Sequence, residues 1–222
     1  MTMPHEDTAA LRGLEHRDAS VRLRAALAVG TAPAPHQVGP LVERCATEPE
    51  FAVREMLTWA LTRHAAARTV PRLVDELRSE RARARSQALH TLSKIGDRRA
   101  WPAITPELLS DADDEVARSA WRAAVALAPD EARPRLAAAL ADQLGRGGHE
   151  TRLSLSRALV ALGDAAEPVL DAAAAATDPH VRTHALATRR LLRDPDSGFE
   201  AAIEEARRVV ALGAYDPAGG RG

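Results

Sequence analysis

The sequence predicts an all-α protein: a right-handed α-solenoid of about six stacked helix pairs, closed by a C-terminal capping helix. Three observations predict this class. Hydrophobic residues make up 45% of the chain but aromatic residues only 3%, so alanine, leucine and valine supply the apolar mass, which favours helices. An arginine recurs at nearly constant spacing, and prolines recur between the arginines.

The recurring arginine follows a small or β-branched residue, and successive copies are 30 to 34 residues apart. A period of this length is typical of stacked helix–turn–helix units. The six repeat arginines are Arg22, Arg54, Arg85, Arg118, Arg152 and Arg182.

The residues after each arginine predict the second helix of every repeat. Counted from the arginine, apolar or small residues recur at −1, +3, +6, +7 and +10, which share one face of a helix. The residue at +6 is always alanine or threonine, so a neighbouring helix can approach closely there. These +6 residues are Ala28, Ala60, Thr91, Ala124, Ala158 and Thr188.

The prolines predict the first helix of each repeat. They lie 14 to 18 residues before the arginines, and proline is tolerated in the first turn of a helix but not deeper. Each is therefore expected to mark a helix start. The prolines are Pro40, Pro71, Pro102, Pro134 and Pro168.

The two ends of the chain are expected to cap the array. Residues 8–16 supply a truncated first helix, and the solenoid is predicted to span 1–195. Residues 196–213 form a capping helix of the same domain, in which Phe199 to Leu212 is amphipathic. The tail, 214–222, is rich in glycine and is predicted to be disordered.

The repeated unit resembles the HEAT repeat over about residues 8–195. The resemblance is carried by Asp-x-x-Val-Arg-x-x-Ala-x-x-Ala-Leu, a Gly-Asp turn and a proline-started first helix, as in the short bacterial repeats of phycobilisome lyases. It implies an armadillo-type fold whose second helices line a concave surface. It also implies that the repeat arginines are structural and brace neighbouring repeats through turn aspartates, here Asp97, Asp130 and Asp164.

Candidate binding residues lie opposite the buried stripe of the second helices, at +1, +5, +8 and flanking positions. A tryptophan among arginines is typical of an interface hot spot. The alternative is that these are ordinary solvated side chains. This set, the predicted ridge, consists of Glu55, Trp59, Arg63, His90, Lys94, Arg122, Arg157 and Arg190.

No pattern indicates catalytic or metal chemistry, and no cofactor is expected. His180 and His184 lie one helical turn apart but lack a third ligand nearby. Cys45 falls on a first helix, where burial is expected, and no activating base is evident. Trp121, at a +3 position, is expected in the core.

The leading functional hypothesis is a non-enzymatic adaptor or regulatory scaffold that binds a protein partner as a monomer. A net charge of −1 gives no general reason to bind nucleic acid or a membrane. Two alternatives remain: a nucleic-acid-binding protein similar to HEAT-fold alkylpurine DNA glycosylases, and a bilin lyase, which only the resemblance implies. The single cysteine and the absence of a signal-peptide pattern or membrane span predict a cytoplasmic protein.

Overall fold

A computed structural model describes residues 4–214 of the chain, with side-chain surroundings for 9–196 and 198–212. This part of the chain contains α-helices, short 3₁₀ turns and no strands. The helices are α1 (Pro4–Gly13), α2 (Ala19–Thr31), α3 (Val38–Thr47), α4 (Phe51–Arg63), α5 (Ala66–Glu76), α6 (Ala82–Ile95), α7 (Pro106–Leu109), α8 (Asp114–Leu127), α9 (Arg133–Ala141), α10 (His149–Ala161), α11 (Glu167–Ala174), α12 (Pro179–Arg193) and α13 (Phe199–Ala214).

The helices confirm the predicted pairs. Each repeat arginine lies on an even-numbered helix from α2 to α12, and a shorter odd-numbered helix precedes it. Asp18 and Asp178 each accept a hydrogen bond from a backbone N–H in the first turn, at Ser20 and His180, and so begin α2 and α12. The helix predicted at Phe199 is present as α13, whereas the tail from 215 onward lies outside the described residues.

The chain forms two compact units, 1–127 and 128–222. In the first unit, α2 packs against α4 and α6 packs against α8, with α3, α5 and α7 beside them. Trp121 is fully buried there and donates a 2.8 Å hydrogen bond from Nε1 to the carbonyl of Leu109, which confirms its place in the core.

The second unit contains the last two helix pairs and α13. Helix α12 packs against α10, α11 and α13. Its apolar cluster joins Leu191 on α12 to Phe199 and Ile203 on α13, with Leu153 and Val160 of α10 at the margin. Helix α13 therefore buries the exposed side of the last pair, as a capping helix must.

Two details of the helix prediction are wrong. Pro71 does not begin a helix, because α5 starts at Ala66 and Pro71 lies inside it. Pro102 lies in a 3₁₀ segment, Arg98–Ala103, and the α-helix of that repeat is reduced to the four residues of α7. Ala28 also differs from the other +6 residues, which are buried, since it is exposed on α2.

Two of the repeat arginines, Arg22 and Arg85, brace neighbouring repeats, but the aspartates expected from the resemblance are not their partners. Asp97 binds Arg99 and begins the 3₁₀ segment, while Asp130 contacts Arg133 and Asp164 is exposed. Each of these aspartates belongs to the turn that follows a second helix, where it serves local contacts.

The observed carboxylate partners lie at the end of the next first helix. Arg22 donates from Nε and NH2 to the two oxygens of Glu48, at 2.7 Å each. Arg85 binds Asp111 in the same two-pronged way, at 3.0 and 3.2 Å. This bidentate geometry holds the guanidinium plane fixed, so each pair clamps one repeat onto the next.

Glu48 is the most deeply buried charge of the first unit, with a fully covered side chain. Burial alone would raise its pKa, but hydrogen bonds from Arg22, from the backbone N–H of Glu50 and from Arg44 lower the pKa to about 2. The carboxylate therefore stays ionised and fully hydrogen-bonded.

Buried hydroxyl groups pair between neighbouring second helices. Thr58 and Thr91 lie 3.4 Å apart across α4 and α6, and Ser86 and Ser119 lie 3.2 Å apart across α6 and α8. In the second unit the Ser156 and Thr188 hydroxyls are 2.7 Å apart. The helices approach closely enough for short side chains to meet because these positions carry only small residues.

Candidate functional site: the second-helix surface

Trp59 lies on the outer surface of α4 and is held there by a glycine of α2. A Cβ atom at Gly30 would lie only 2.4 Å from Cζ3 of the indole ring, so the ring rests directly on that backbone. The Trp59 side chain nevertheless keeps 38% of its surface exposed. This is a rigidly seated, partly exposed aromatic residue.

Leu27 is a second exposed apolar residue on the second-helix surface of the first unit. It occupies +5 of the first repeat, the position that Trp59 occupies in the second, and α2 packs against α4. Leu27 is 46% exposed. Leu27 was not among the predicted ridge residues, although its register with Trp59 was a usable signal.

A charged cluster follows on the same surface of α4, α6 and α8. His90 Nε2 lies 3.1 Å from Glu55 Oε1. Burial lowers the pKa of His90, and the positive charges of Arg122 and Lys94 lower it further, while Glu55 acts in the opposite direction. His90 is thus neutral at pH 7, and the cluster carries two cations and one anion.

The structure brings four of the predicted ridge residues together and leaves the others apart. Glu55, His90, Lys94 and Arg122 interact electrostatically. Arg63 ends α4, is exposed and has no ion pair within the described residues.

Arg157 and Arg190 belong to the second unit and have different surroundings. Arg190 is ion-paired with Glu205 of α13, so the capping helix engages it. Arg157 is exposed and lines an apolar groove of about 530 Å³ together with Leu153, Val160 and Phe199. No sequence pattern predicts this groove, since it depends on where α13 lies.

The chemistry of the buried polar groups is structural. Burial raises the pKa of the Cys45 thiol to about 12, which confirms that this cysteine is covered and leaves it protonated and unreactive. His184 accepts a hydrogen bond at Nδ1 from the Gly145 N–H and donates from Nε2 to the Arg152 carbonyl. Among the described residues no three potential ligands converge on a metal position.

These features define a class: an all-α protein of stacked helix pairs with an exposed second-helix surface. Within it, residues 38–128 match the family model of HEAT repeats, so this part of the chain consists of HEAT repeats. No curated protein matches the chain by sequence.

Solved structures share the fold. The karyopherin Kap121p, bound to the extreme C-terminus of the protein phosphatase Cdc14p, matches at 18% identity and a TM-score of 0.61 over 93% of this chain and 25% of its own. This chain thus spans about a quarter of the karyopherin.

Two enzymes match over nearly their whole length but less closely. Human deoxyhypusine hydroxylase is 21% identical with a TM-score of 0.48, covering 94% of this chain and 95% of that one. The complex of CpcE and CpcF of phycocyanin lyase from Nostoc sp. matches at 17% identity and a TM-score of 0.40, covering 92% of this chain and 94% of that one.

Within the described residues, no helix of this chain is long and apolar enough to cross a membrane.

Proposed function

We propose that this protein is a non-enzymatic adaptor or regulatory scaffold that binds a protein partner on the second-helix surface of its first unit. The observation that carries the proposal is the seating of a partly exposed tryptophan, Trp59, on the backbone of Gly30, with exposed Leu27 at the equivalent position of the packed helix α2. A preordered aromatic residue loses little side-chain entropy on binding, which is why tryptophan is enriched in hot spots.

The charges next to this apolar patch select the partner. Lys94 and Arg122 are exposed cations, and Glu55 lies close to His90 between them. A partner segment with an apolar side chain for Trp59 and a carboxylate for Lys94 or Arg122 would match this surface. Such rim charges chiefly set specificity and association rate.

A protein partner suits this surface better than nucleic acid. Glu55 places a carboxylate among the cations, and the whole chain has a net charge of −1, whereas phosphate backbones are bound chiefly by clustered lysines and arginines. Kap121p, which shares the fold, is a protein bound to other proteins in its crystal structures.

Site-specific crosslinking provides the test. A photo-crosslinking benzoylphenylalanine would replace Thr62, an exposed residue one turn from Trp59, or Arg68 on the outer helix α5 as a matched control. The protein captured only from position 62 in the native cell would be identified by mass spectrometry and purified.

Affinity for the captured protein then decides the proposal. Trp59→Ala should weaken binding by about tenfold or more, equivalent to about 1.4 kcal/mol or more. Arg122→Glu should weaken binding less than Trp59→Ala does, and its effect should be larger at low salt than at high salt. Arg68→Glu should have no effect. Unchanged binding by Trp59→Ala would refute this surface as the binding site.

The alternatives have direct tests. Binding to duplex DNA at low salt, abolished by Arg122→Glu, would favour the nucleic-acid hypothesis, because phosphate-driven binding is strongest there. A change in visible absorption after incubation with a bilin and its acceptor protein would favour lyase activity.

A further inference from the structure

A second, larger groove of about 750 Å³ lies in the second unit, between the start of α10, the start of α12 and the face of α13. Three arginines line it: Arg152, Arg182 and Arg207. Among the described residues no acidic side chain lines it, and Ile203 and Val210 on α13 form an apolar wall. Arg152 and Arg182 lie on the α10 and α12 side, whereas Arg207 lies between the two apolar residues of α13, so the groove combines three cations with an apolar strip.

The first unit shows what a repeat arginine in this setting binds. Arg22 donates from NH1 to the carbonyls six and five residues before it, and its Nε and NH2 are then presented together to the carboxylate of Glu48. Arg85 repeats this arrangement with two carbonyls and Asp111. When NH1 is held by the two carbonyls, the other two donors of the guanidinium group, Nε and NH2, point together toward an anion.

Arg182 has the first half of this arrangement without the second. Its NH1 donates to the carbonyls of Ala176 and Thr177, again six and five residues before it, at 2.9 Å each. Its Nε and NH2 have no hydrogen-bond or ion-pair partner among the described residues. The nearest carboxylate in sequence, Asp178, instead accepts from the His180 N–H at the start of α12.

Within the described residues, the other two arginines have no carboxylate partner that lines the groove. Arg152 makes only a long contact of 3.5 Å from Nε to the Gly148 carbonyl. Arg207 is ion-paired at the surface of α13 with Glu204, which does not line the groove. Arg54 in the first unit also has no carboxylate partner among the described residues, so an arginine with unpaired Nε and NH2 does not by itself make a binding site. The groove of the second unit differs because three arginines line it.

The wall opposite α13 is rigid. The loop before α10 turns at Gly145, whose φ of 85° suits glycine, and a Cβ there would lie 3.3 Å from the Val181 nitrogen. The Gly145 N–H donates to the buried Nδ1 of His184, which ties the loop to α12. A preformed wall lowers the entropic cost of ligand binding.

We propose that this groove binds a small molecule that carries a phosphate group on an apolar body. The three arginines carry three positive charges, which a phosphate dianion with three terminal oxygens matches better than a singly charged carboxylate does. The apolar body would lie on Ile203 and Val210. A volume of about 750 Å³ is in the range of small-ligand sites. The proposal is independent of the partner surface of the first unit.

Calorimetric titration of the full chain with phenyl phosphate tests this, with inorganic phosphate and phenol as the two halves of the probe. Phenyl phosphate should bind more tightly than inorganic phosphate, and phenol should not bind. Binding of phenol alone, or no binding of phenyl phosphate at millimolar concentration, would overturn the proposal.

Variants on α13 locate the site without disturbing the core. Arg207→Gln should weaken phenyl phosphate binding by about tenfold, and Arg208→Gln, an exposed neighbour outside the groove, should not. Glu204→Gln should strengthen it by about two- to fivefold, because it releases Arg207 from its ion pair. Equal affinities for Arg207→Gln and Arg208→Gln would place the phosphate elsewhere.

Discussion

The two units are built from the same repeat but hold their repeat arginines in different ways. In the first unit, Arg22 and Arg85 each have a carboxylate in the following repeat. In the second unit, Arg182 makes only the contacts to its own loop, and His184 connects the loop before α10 to α12. Repeat arginines therefore form carboxylate pairs between repeats in the first unit, whereas in the second unit a buried histidine connects the repeats, which gives the two units different sensitivities to mutation and pH.

The largest effect is expected from Glu48→Gln in the first unit. This change leaves Arg22 and Arg44 beside a neutral group in a fully buried position, and breaking a buried pair typically costs about 3–5 kcal/mol. All three tryptophans lie in the first unit, so urea unfolding followed by tryptophan fluorescence measures this unit. Glu43→Gln, at an exposed site on α3, is the control, and a loss below about 1 kcal/mol would contradict the buried clamp.

Acid should destabilise the second unit through His184. Burial lowers the pKa of His184 to about 4, whereas unfolded histidine titrates near 6.5. The unfolded chain binds more protons between these values, so the stability contribution is complete above about pH 6.5 and lost as pH falls toward 4, by about 3 kcal/mol. The pKa of His90 in the first unit is lowered as well, so its effect on stability has the same direction. Protonation of Glu48, whose pKa is about 2, destabilises the first unit only at lower pH.

Hydrogen exchange of α10 and α12 amides between pH 6.5 and 4 measures this loss. The protection factors, corrected for intrinsic exchange, should fall with pH in the wild type and fall less in His184→Gln. The exposed His180→Gln variant should behave as the wild type. Protection independent of pH would contradict the role of His184.

Gly30→Ala should destabilise the first unit by about 1–3 kcal/mol, as overpacking does. The new methyl group would collide with the Trp59 ring and with Ala60 Cα, at 2.4 and 2.8 Å. Part of the cost should disappear in the Trp59→Ala background, because only the backbone collision remains. Urea unfolding of the four proteins of this cycle, followed by circular dichroism, gives the coupling; additive effects would show that the ring does not rest on Gly30.

Asp111→Asn should have the smallest effect, about 1 kcal/mol, since the pair with Arg85 is partly exposed and screened. Its free energy of unfolding would be compared with that of Asp75→Asn, an exposed site on α5. A loss as large as that of Glu48→Gln would remove the distinction between buried and half-buried clamps.

The repeat spacing was sufficient to predict the helix pairs, because periodicity depends on local geometry. The carboxylate partners were not predictable in the same way. Glu48 and Asp111 both lie 26 residues after their arginines, but the same offset from Arg118 falls on Leu144, so the spacing does not hold throughout the repeats. The prediction from Pro71 was wrong for a related reason. The helix α5 begins at Ala66, five residues before the proline that, by local preference alone, would mark its start.

The candidate site was predictable in part. Register identified Trp59 and the charged cluster, and the same register applied to the first repeat would have found Leu27. The two grooves of the second unit depend on the position of α13, and no repeat in the sequence specifies where a terminal helix lies.

The buried hydroxyl pairs have a consequence for how similar repeats find their proper neighbours. A helix that skipped a repeat would still bury alanine and leucine, so apolar contact alone discriminates poorly. The pairs differ in position: +4 with +6 for Thr58–Thr91 and Ser156–Thr188, but +1 with +1 for Ser86–Ser119. A misplaced neighbour would lose the hydrogen bond between the two helices, at a net cost of about 0.5–1.5 kcal/mol. The buried hydroxyl pairs thus contribute to the specificity with which each alanine-rich helix packs against its proper neighbour.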